Sequence, residues 1–256
     1  IGPPNAGKST LSNALVGQKV AIVTHKAQTT RARLRAVVMH EQSQVVLVDT
    51  PGIFSGVKKL DKAMVQEAWS GAEEADAVLV VLDASRALPA ETELVLAGVK
   101  GTSKPVILVL NKVDAVKREK LLELTQKLNE AADFTDTFMV SALKGTGLEE
   151  LKNHLANLVP EGPWHYPEDM AADVPSLLLA AEVTREKLFL RMHQELPYAL
   201  TVETESWKRQ KDGSVRLEQV IFVRRDSQKA IVLGKRGQSI REIGSQARVE
   251  MEDVFG

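Results

Sequence analysis

At 256 residues the chain is long enough for two domains of roughly 100–200 residues each, and 44% hydrophobic with 26% charged residues is an ordinary globular composition. A net charge of −1 excludes a global basic field, so any nucleic-acid partner has to be held by a local patch. The absence of cysteine excludes disulfides and thiolate metal sites and fits a cytoplasmic location. The longest apolar runs fall far short of the roughly 18 residues a membrane helix needs, and no secretory signal is visible.

In chain order, apolar strand candidates at Ala36–Met39, Val45–Val48, Ala77–Leu82, Val106–Leu110 and Phe138–Val140 alternate with helical patterns near Ser9–Val16, Leu60–Ala72, Glu91–Val99, Lys117–Glu130 and Leu148–Leu158. The alternation predicts an α/β domain with a mostly parallel sheet and helices on both faces. Only His40–Gln44 joins the first two strands, so those two are expected to form an antiparallel hairpin. Pro160, Gly162, Pro163 and Pro167 break regular structure, which puts the domain boundary at residues 162 and 163. Beyond it the order is helix (Ser176–His193), strand (Tyr198–Ser206), a Lys211-Asp212-Gly213 turn, strand (Val215–Val223), helix (Ser227–Leu233), a glycine loop and a last helix to about Val254, a smaller α+β domain. The acidic stretch Glu67–Asp76 reads as a solvated helix face, and the tryptophans as packing groups.

Gly2-Pro3-Pro4-Asn5-Ala6-Gly7-Lys8-Ser9 fits the GxxxxGK[ST] phosphate loop. The backbone of Asn5, Ala6 and Gly7 can curl round a phosphate, and Lys8 can reach the β- and γ-phosphates. Ser9 offers a hydroxyl to Mg²⁺, and Thr10 follows in the first turn of a helix whose positive end faces the anion. Such a loop normally follows a strand, so the sequence is expected to be a piece whose first strand lies upstream of Ile1. Val45–Val48 runs into Asp49-Thr50-Pro51-Gly52; Asp49 can hold Mg²⁺ through water, and the Gly52 N–H can approach a γ-phosphate without a Cβ in the way. Val106–Leu110 ends in Asn111-Lys112-Val113-Asp114. Asp114 can accept from the N1–H and N2–H₂ of guanine, which adenine cannot offer. Asn111 can bind the other edge of the base, and the Lys112 stem can lie across the base or against the phosphate loop. Ser141-Ala142-Leu143 would supply a backbone N–H to guanine O6.

Together these residues resemble the translation-factor-related branch of the Ras-like GTPases over most of residues 1–160. The resemblance implies Mg²⁺-dependent hydrolysis of GTP to GDP through ordered switch loops. In Lys26-Ala27-Gln28-Thr29-Thr30-Arg31, Thr30 is the expected third Mg²⁺ oxygen, by resemblance to relatives with Thr-Thr-Arg, and Thr29 is the alternative. Lys8, Thr30 and Gly52 are the expected catalytic set. Ile53 stands where Ras-type proteins place a water-orienting Gln, so intrinsic hydrolysis is expected to be slow. In some relatives the Asn of the phosphate loop helps bind K⁺, which gives Asn5 that role as an expectation.

In the second domain, Gly234-Lys235-Arg236-Gly237 between two helices is the GxxG mark of a KH domain, which clamps about four nucleotides. From Arg224 to Arg241 six basic residues (Arg224, Arg225, Lys229, Lys235, Arg236, Arg241) face a single acid, Asp226. Ile231, Leu233 and Ile240 are expected to form an apolar floor for bases. The order resembles a type II KH domain whose final strand would come after Gly256. A GTPase followed by a type II KH domain resembles the Era GTPases, and Ala27–Arg31, Asp49–Ile53, Arg185-Glu186-Lys187-Leu188, Glu195-Leu196-Pro197-Tyr198 and Gly234–Gly237 all fit. That resemblance implies binding near the 3′ end of small-subunit ribosomal RNA, a role in assembling the small ribosomal subunit, and peripheral association with the inner face of the cell membrane. Two readings remain beside it: an RNA-binding scaffold with an inert nucleotide site, and a GTPase whose second domain binds protein.

Overall fold

The computed structural model describes residues 1–26, 29–56, 59–193 and 196–256. It divides into two compact units, Ile1–Val20 with Thr30–Asp173, and Ala21–Thr29 with Val174–Gly256. No described helix is long and apolar enough to cross a membrane.

The first unit runs α1 (Lys8–Val16), β1 (Leu34–His40), β2 (Ser43–Asp49), α2 (Lys59–Glu74), β3 (Val78–Asp83), α3 (Glu91–Val99), β4 (Val106–Asn111), α4 (Arg118–Ala131), β5 (Asp136–Met139) and α5 (Leu148–Leu158). Strands β3, β4 and β5 form a parallel sheet with β4 at its centre, while β1 and β2 pair as the expected antiparallel hairpin. β4 is buried at every position, and its side chains alternate as the strand period demands. Leu108 and Leu110 join the cluster containing Ala68, Val95 and Leu128 from α2, α3 and α4. Ile107 and Val109 join Leu11 of α1 and Leu151 of α5. Helices therefore cover both faces, which is why this strand reads as one unbroken apolar run. Ile1 lies in ladder with β3, its N donating to Leu79 O at 2.8 Å and its O accepting from Val81 N at 2.9 Å, and a cleft of about 1190 Å³ opens between β2 and β3.

Three expectations shift. The last strand is Asp136–Met139 rather than Phe138–Val140, because β5 is an edge strand whose solvent side is polar and gives no continuous apolar signal. Residues 163–173 belong with the first unit, so the contact division falls after Asp173 instead of Gly162. Pro163 and Pro167 disfavour helix and strand there, yet backbone groups of the segment pair with β1. Val37 N donates to Ala171 O at 2.8 Å and Asp173 N to Arg35 O at 2.9 Å, which covers the free edge of β1. The acidic face of α2 is also not wholly solvated, since Glu67 and Glu74 clasp Arg33 at 2.6 and 2.8 Å.

The second unit runs α6 (Ser176–Arg191), β6 (Leu200–Arg209), β7 (Val215–Val223), α7 (Asp226–Leu233) and α8 (Gln238–Phe255). β6 and β7 pair antiparallel through a turn in which Gly213 takes φ 87, a conformation a β-carbon would strain. Leu188, Phe189, Leu200, Val202, Val232 and Ile243 form its core. Trp207 packs edge-on against Phe255 at 5.0 Å, and Trp69 contacts Gly98, whereas Trp164 is half exposed with its ring N–H on Gln42 O.

Candidate nucleotide site and nucleic-acid interface

The parallel strands deliver their polar residues to one end of the sheet, where α/β folds bind ligands. Asp83 ends β3 directly opposite Asn111, which ends β4. The phosphate loop turns into α1 through Gly7, whose φ of 92 is left-handed; a β-carbon there would lie 2.3 Å from Asn111 Nδ2. Gly52 has the same requirement against the other side of the loop, with Pro4 N at 2.9 Å from where its Cβ would stand. Lys8 Nζ donates to Gly2 O and Pro3 O at 3.0 and 2.9 Å. Burial lowers its pKa to about 8 against the opposing pull of Asp49.

Ser9, Thr30 and Asp49 converge. Ser9 Oγ donates to Asp49 Oδ2 at 2.6 Å and lies 3.0 Å from Thr30 Oγ1. Thr29, the alternative, is occupied elsewhere: its hydroxyl donates to Lys26 O at 2.8 Å and lies 2.6 Å from Thr24 Oγ1. Ala27 and Gln28 of this loop lie outside the described residues. Asp49 is 4% exposed and its Oδ1 has no hydrogen-bond partner among the described residues. Burial pushes its carboxyl upward, opposed by Ser9 and Lys8. Three hard oxygens around an orphaned buried carboxylate oxygen fit Mg²⁺, which takes oxygen ligands and keeps several waters. Ile53 is buried among Ala68 and Leu82, so its side chain is withdrawn from any reacting group.

Asn111, expected at the base, is also tied into the protein. It is 1% exposed, its Nδ2 donates to Ala6 O at 3.0 Å, and its Oδ1 accepts from Lys112 N at 2.8 Å and Ala142 N at 3.1 Å. It ties the phosphate loop to both base loops. That also engages the Ala142 N–H; Ser141 N and Lys144 N bond within their own turn, and Leu143 is 77% exposed at its tip. Lys112 takes the second of its two expected courses, Nζ donating to Asn5 O at 2.9 Å. Its partner, Asp83 at 2.7 Å, was not anticipated, although an acid ending a buried strand is the signal that singled out Asp49. Burial works to raise Asp83, but hydrogen bonds from Lys112 and Ser85 outweigh it and hold the carboxyl below the usual range. Asp114 stands exposed on a short 3₁₀ turn, with Ser141 Oγ donating to its Oδ1 at 2.5 Å, and the carboxylate is oriented before any base arrives.

In the second unit, the loop between α7 and α8 has Gly234 at φ 69, Arg236 at φ 52 and Gly237 at φ 73. A β-carbon on Gly234 would meet Ser239 Cβ at 2.6 Å, so the loop lies hard against the start of α8 and its tip is thrown outward. Lys235 and Arg236 are exposed there and line a cavity of about 490 Å³ with Gln238, Arg241 and Glu242. Arg224, Arg225 and Lys229 are exposed nearby in sequence, as are Ile231 and Leu233 at 57% and 41%. Arg241 donates to Arg236 O at 2.7 Å and Gly237 O at 3.3 Å, bracing the loop while remaining exposed, and the half-buried Ile240 packs on the core. Glu195 of the Glu-Leu-Pro-Tyr stretch lies outside the described residues.

Residues 1–112 match the family model of a 50S ribosome-binding GTPase, and residues 195–256 match the KH domain. The chain is 55% identical over 255 residues to the GTPase Era of Sinorhizobium medicae, covering 100% of this chain and 82% of that protein. It is 56% identical to the GTPase Era of Brucella suis, with the same coverage. A solved structure of Era in complex with MgGDPNP and nucleotides 1506–1542 of 16S ribosomal RNA aligns with TM-score 0.93 at 37% identity, over 98% of this chain and 86% of that one. A variant Era of Aquifex aeolicus bound to GDP and AlF₄⁻ aligns with TM-score 0.93 at 38% identity, over 100% and 87%. With this identity along its whole length, the chain belongs to the Era family of GTPases.

Proposed function

We propose that the protein binds small-subunit ribosomal RNA near its 3′ end through the Gly234–Gly237 loop and assists assembly of the small subunit in the cytoplasm, with GTP binding and hydrolysis as its switch. The observation that carries this reading is a complete, internally tied nucleotide site in the same chain as a GxxG loop whose Lys235 and Arg236 are turned to solvent. An Era protein crystallised with nucleotides 1506–1542 of 16S ribosomal RNA supports the choice of RNA. Peripheral association with the inner face of the cell membrane, which the family resemblance implies, needs no membrane-spanning helix, and the proposal is centred on RNA.

In this reading Asp114, pre-set by Ser141, selects guanine. Lys8 and the backbone of Asn5, Ala6, Gly7 and Ser9 neutralise and orient the β- and γ-phosphates, and Thr10 extends the same first helical turn. The Gly52 N–H faces the γ-phosphate. Ser9, Thr30 and Asp49 would hold Mg²⁺, which when bound neutralises charge developing on the phosphate oxygens. Leu143 and Ala142 supply the loop under the base, and Asn111 with Lys112 keeps these parts in register. With Ile53 buried, the attacking water is oriented by something other than that side chain. Asn5, at φ 62 on the loop, is the candidate for a K⁺ ligand; turnover equal in KCl and NaCl would remove that role.

Asp114→Ala should abolish most of the preference for GTP over ATP, on the order of 10⁴-fold, in nucleotide competition, because the carboxylate is what adenine leaves unpaired. A retained preference would sink the base-site reading. Proton linkage gives a second test. The nucleotide-free Lys8 pKa is about 8, and neighbouring phosphates favour the charged form and raise it. Binding therefore takes up a proton above pH 8 and none well below it, so GDP affinity should fall by up to about tenfold per pH unit between pH 8 and 9. Calorimetry in buffers of different ionisation enthalpy reads the uptake; a proton count that does not rise with pH would refute it. For RNA, Lys235→Ala with Arg236→Ala should lower the slope of log affinity against log salt by about 1.4, two phosphate contacts on a single strand. An unchanged slope would move the RNA contact elsewhere.

A further inference from the structure

Two of the expected Mg²⁺ oxygens are delivered from the open end of the β1–β2 hairpin, whose last rung pairs Leu34 with Asp49. One residue beyond that rung stand Arg33 on one strand and Thr50 on the other. Thr30 is three residues before Arg33, at most roughly 10 Å of chain. Arg33 is clasped by α2: its Nε donates to Glu67 Oε1 at 2.6 Å and its Nη1 to Glu74 Oε2 at 2.8 Å. All of these residues belong to the first unit.

The seat for the arginine is written into α2. Glu67, Gly71 and Glu74 follow at spacings of four and three, so they share one face of the helix with the glycine between the acids. A β-carbon on Gly71 would stand 3.2 Å from Arg33 Cδ and 3.2 Å from Thr50 Cγ2. The absent side chain therefore makes room for the arginine stem and the Thr50 methyl together. Glycine inside a helix is less stable than alanine. The two carboxylate side chains are 41% and 60% exposed, where ion pairs contribute little to folding. Stability alone does not account for a glycine flanked by two acids. What the arrangement provides is a fixed place for the chain between Thr30 and β1. Beside Glu67 on the same helix, Ala68 shares a buried cluster with Ile53, so α2 also backs the turn that carries Gly52.

We propose that Arg33 is a positioning residue for GTP hydrolysis: held by Glu67 and Glu74 across Gly71, it seats the start of β1 on α2, so that the Thr30 hydroxyl and the Gly52 N–H are presented together. The inference rests on the reading of Thr30 as a metal ligand. Groups that orient a metal's ligands characteristically cost about 10–100-fold in metal affinity or activity when removed.

The test uses full-length protein. GTP turnover is measured against Mg²⁺ concentration, beside GDP affinity, thermal unfolding, and hydrogen exchange of the peptide spanning Thr30 with GDP and with a non-hydrolysable GTP analogue. Arg33→Met keeps the stem and loses both donors. It should raise the Mg²⁺ needed for half-maximal turnover about tenfold and reduce the protection the analogue confers, with GDP affinity within about twofold. Arg33→Lys, a point charge in place of a fork, should recover part of the loss. Glu67→Gln with Glu74→Gln should reproduce Arg33→Met, and adding Arg33→Met to that pair should cost nothing more, because the three groups act as one clasp. Gly71→Ala keeps every charge and crowds the seat; it should raise the Mg²⁺ requirement without lowering the unfolding temperature, a split that a purely structural role would not give. Wild-type Mg²⁺ dependence and exchange in Arg33→Met while Thr30→Ala is impaired would overturn this inference alone, as would a Mg²⁺ requirement that simply follows unfolding temperature across the variants. An unimpaired Thr30→Ala would overturn the metal-ligand reading and this inference with it.

Discussion

One buried amide holds the nucleotide end of the sheet together. Asn111 receives two backbone N–H groups on one atom and gives a hydrogen to Ala6 O with the other, so three loops from distant parts of the chain share a single reference point. Each of those groups would cost about 1–3 kcal/mol if left buried and unpaired. The amide can serve because β4 beneath it is buried at all six positions and has no freedom to shift. The same packing explains why Gly7 tolerates no β-carbon: the space it would fill belongs to Asn111. The glycine of the phosphate motif is thus as much a packing requirement of the amide as a conformational requirement of the loop.

Around that reference the charges are arranged in pairs of opposite sense. Lys8 and Asp49 are both pulled toward neutrality by burial, a state that a phosphate and a divalent cation would reverse together. Lys112 and Asp83 are satisfied within the protein, and the Asp83 carboxyl is held ionised. The first pair is poised for ligands, and the second fixes a loop whether ligands are present or not. A net charge of −1 conceals both, and it equally conceals the exposed cations at Lys235 and Arg236, whose pull on an anion is screened over about 10 Å at 0.1 M salt.

The parts of the molecule that could be read from sequence are those where one local rule decides. The hairpin, the buried parallel strands and the glycine loops follow from apolar runs and from residues that alone permit a conformation. Thr30 as the Mg²⁺ hydroxyl is an expectation from likeness to relatives; the structure sets that hydroxyl 3.0 Å from Ser9 Oγ, with Thr29 turned to Thr24 and Lys26. What could not be read needed long-range pairing. Nothing local in the sequence shows that Asn111 also ties loops 31 and 105 residues away. In sequence Arg241 is one more cation in a basic run; that one turn of helix also brings it back onto the carbonyls of its own loop needs the folded structure. Residues 163–173 were expected in the second domain because the prolines mark a boundary before them, although their backbone groups cover an edge that only the folded sheet presents.

The division of the chain at Thr30 carries a consequence for the switch. A hydroxyl that completes a metal site only in the triphosphate state must be free enough to leave and ordered enough to return. Thr29, the residue before Thr30, gives its carbonyl to the buried Arg185 of α6 within the second unit. α6 also bears Arg191, whose guanidinium bonds Ser239 Oγ at 3.1 Å, beneath the glycine loop. A ligand that changed the freedom of Thr30 would change GTP affinity, and thermodynamic reciprocity requires that GTP binding change the affinity for that ligand by the same factor. With Ile53 removed from the chemistry, slow hydrolysis would leave time for that equilibrium to be read before the triphosphate is spent.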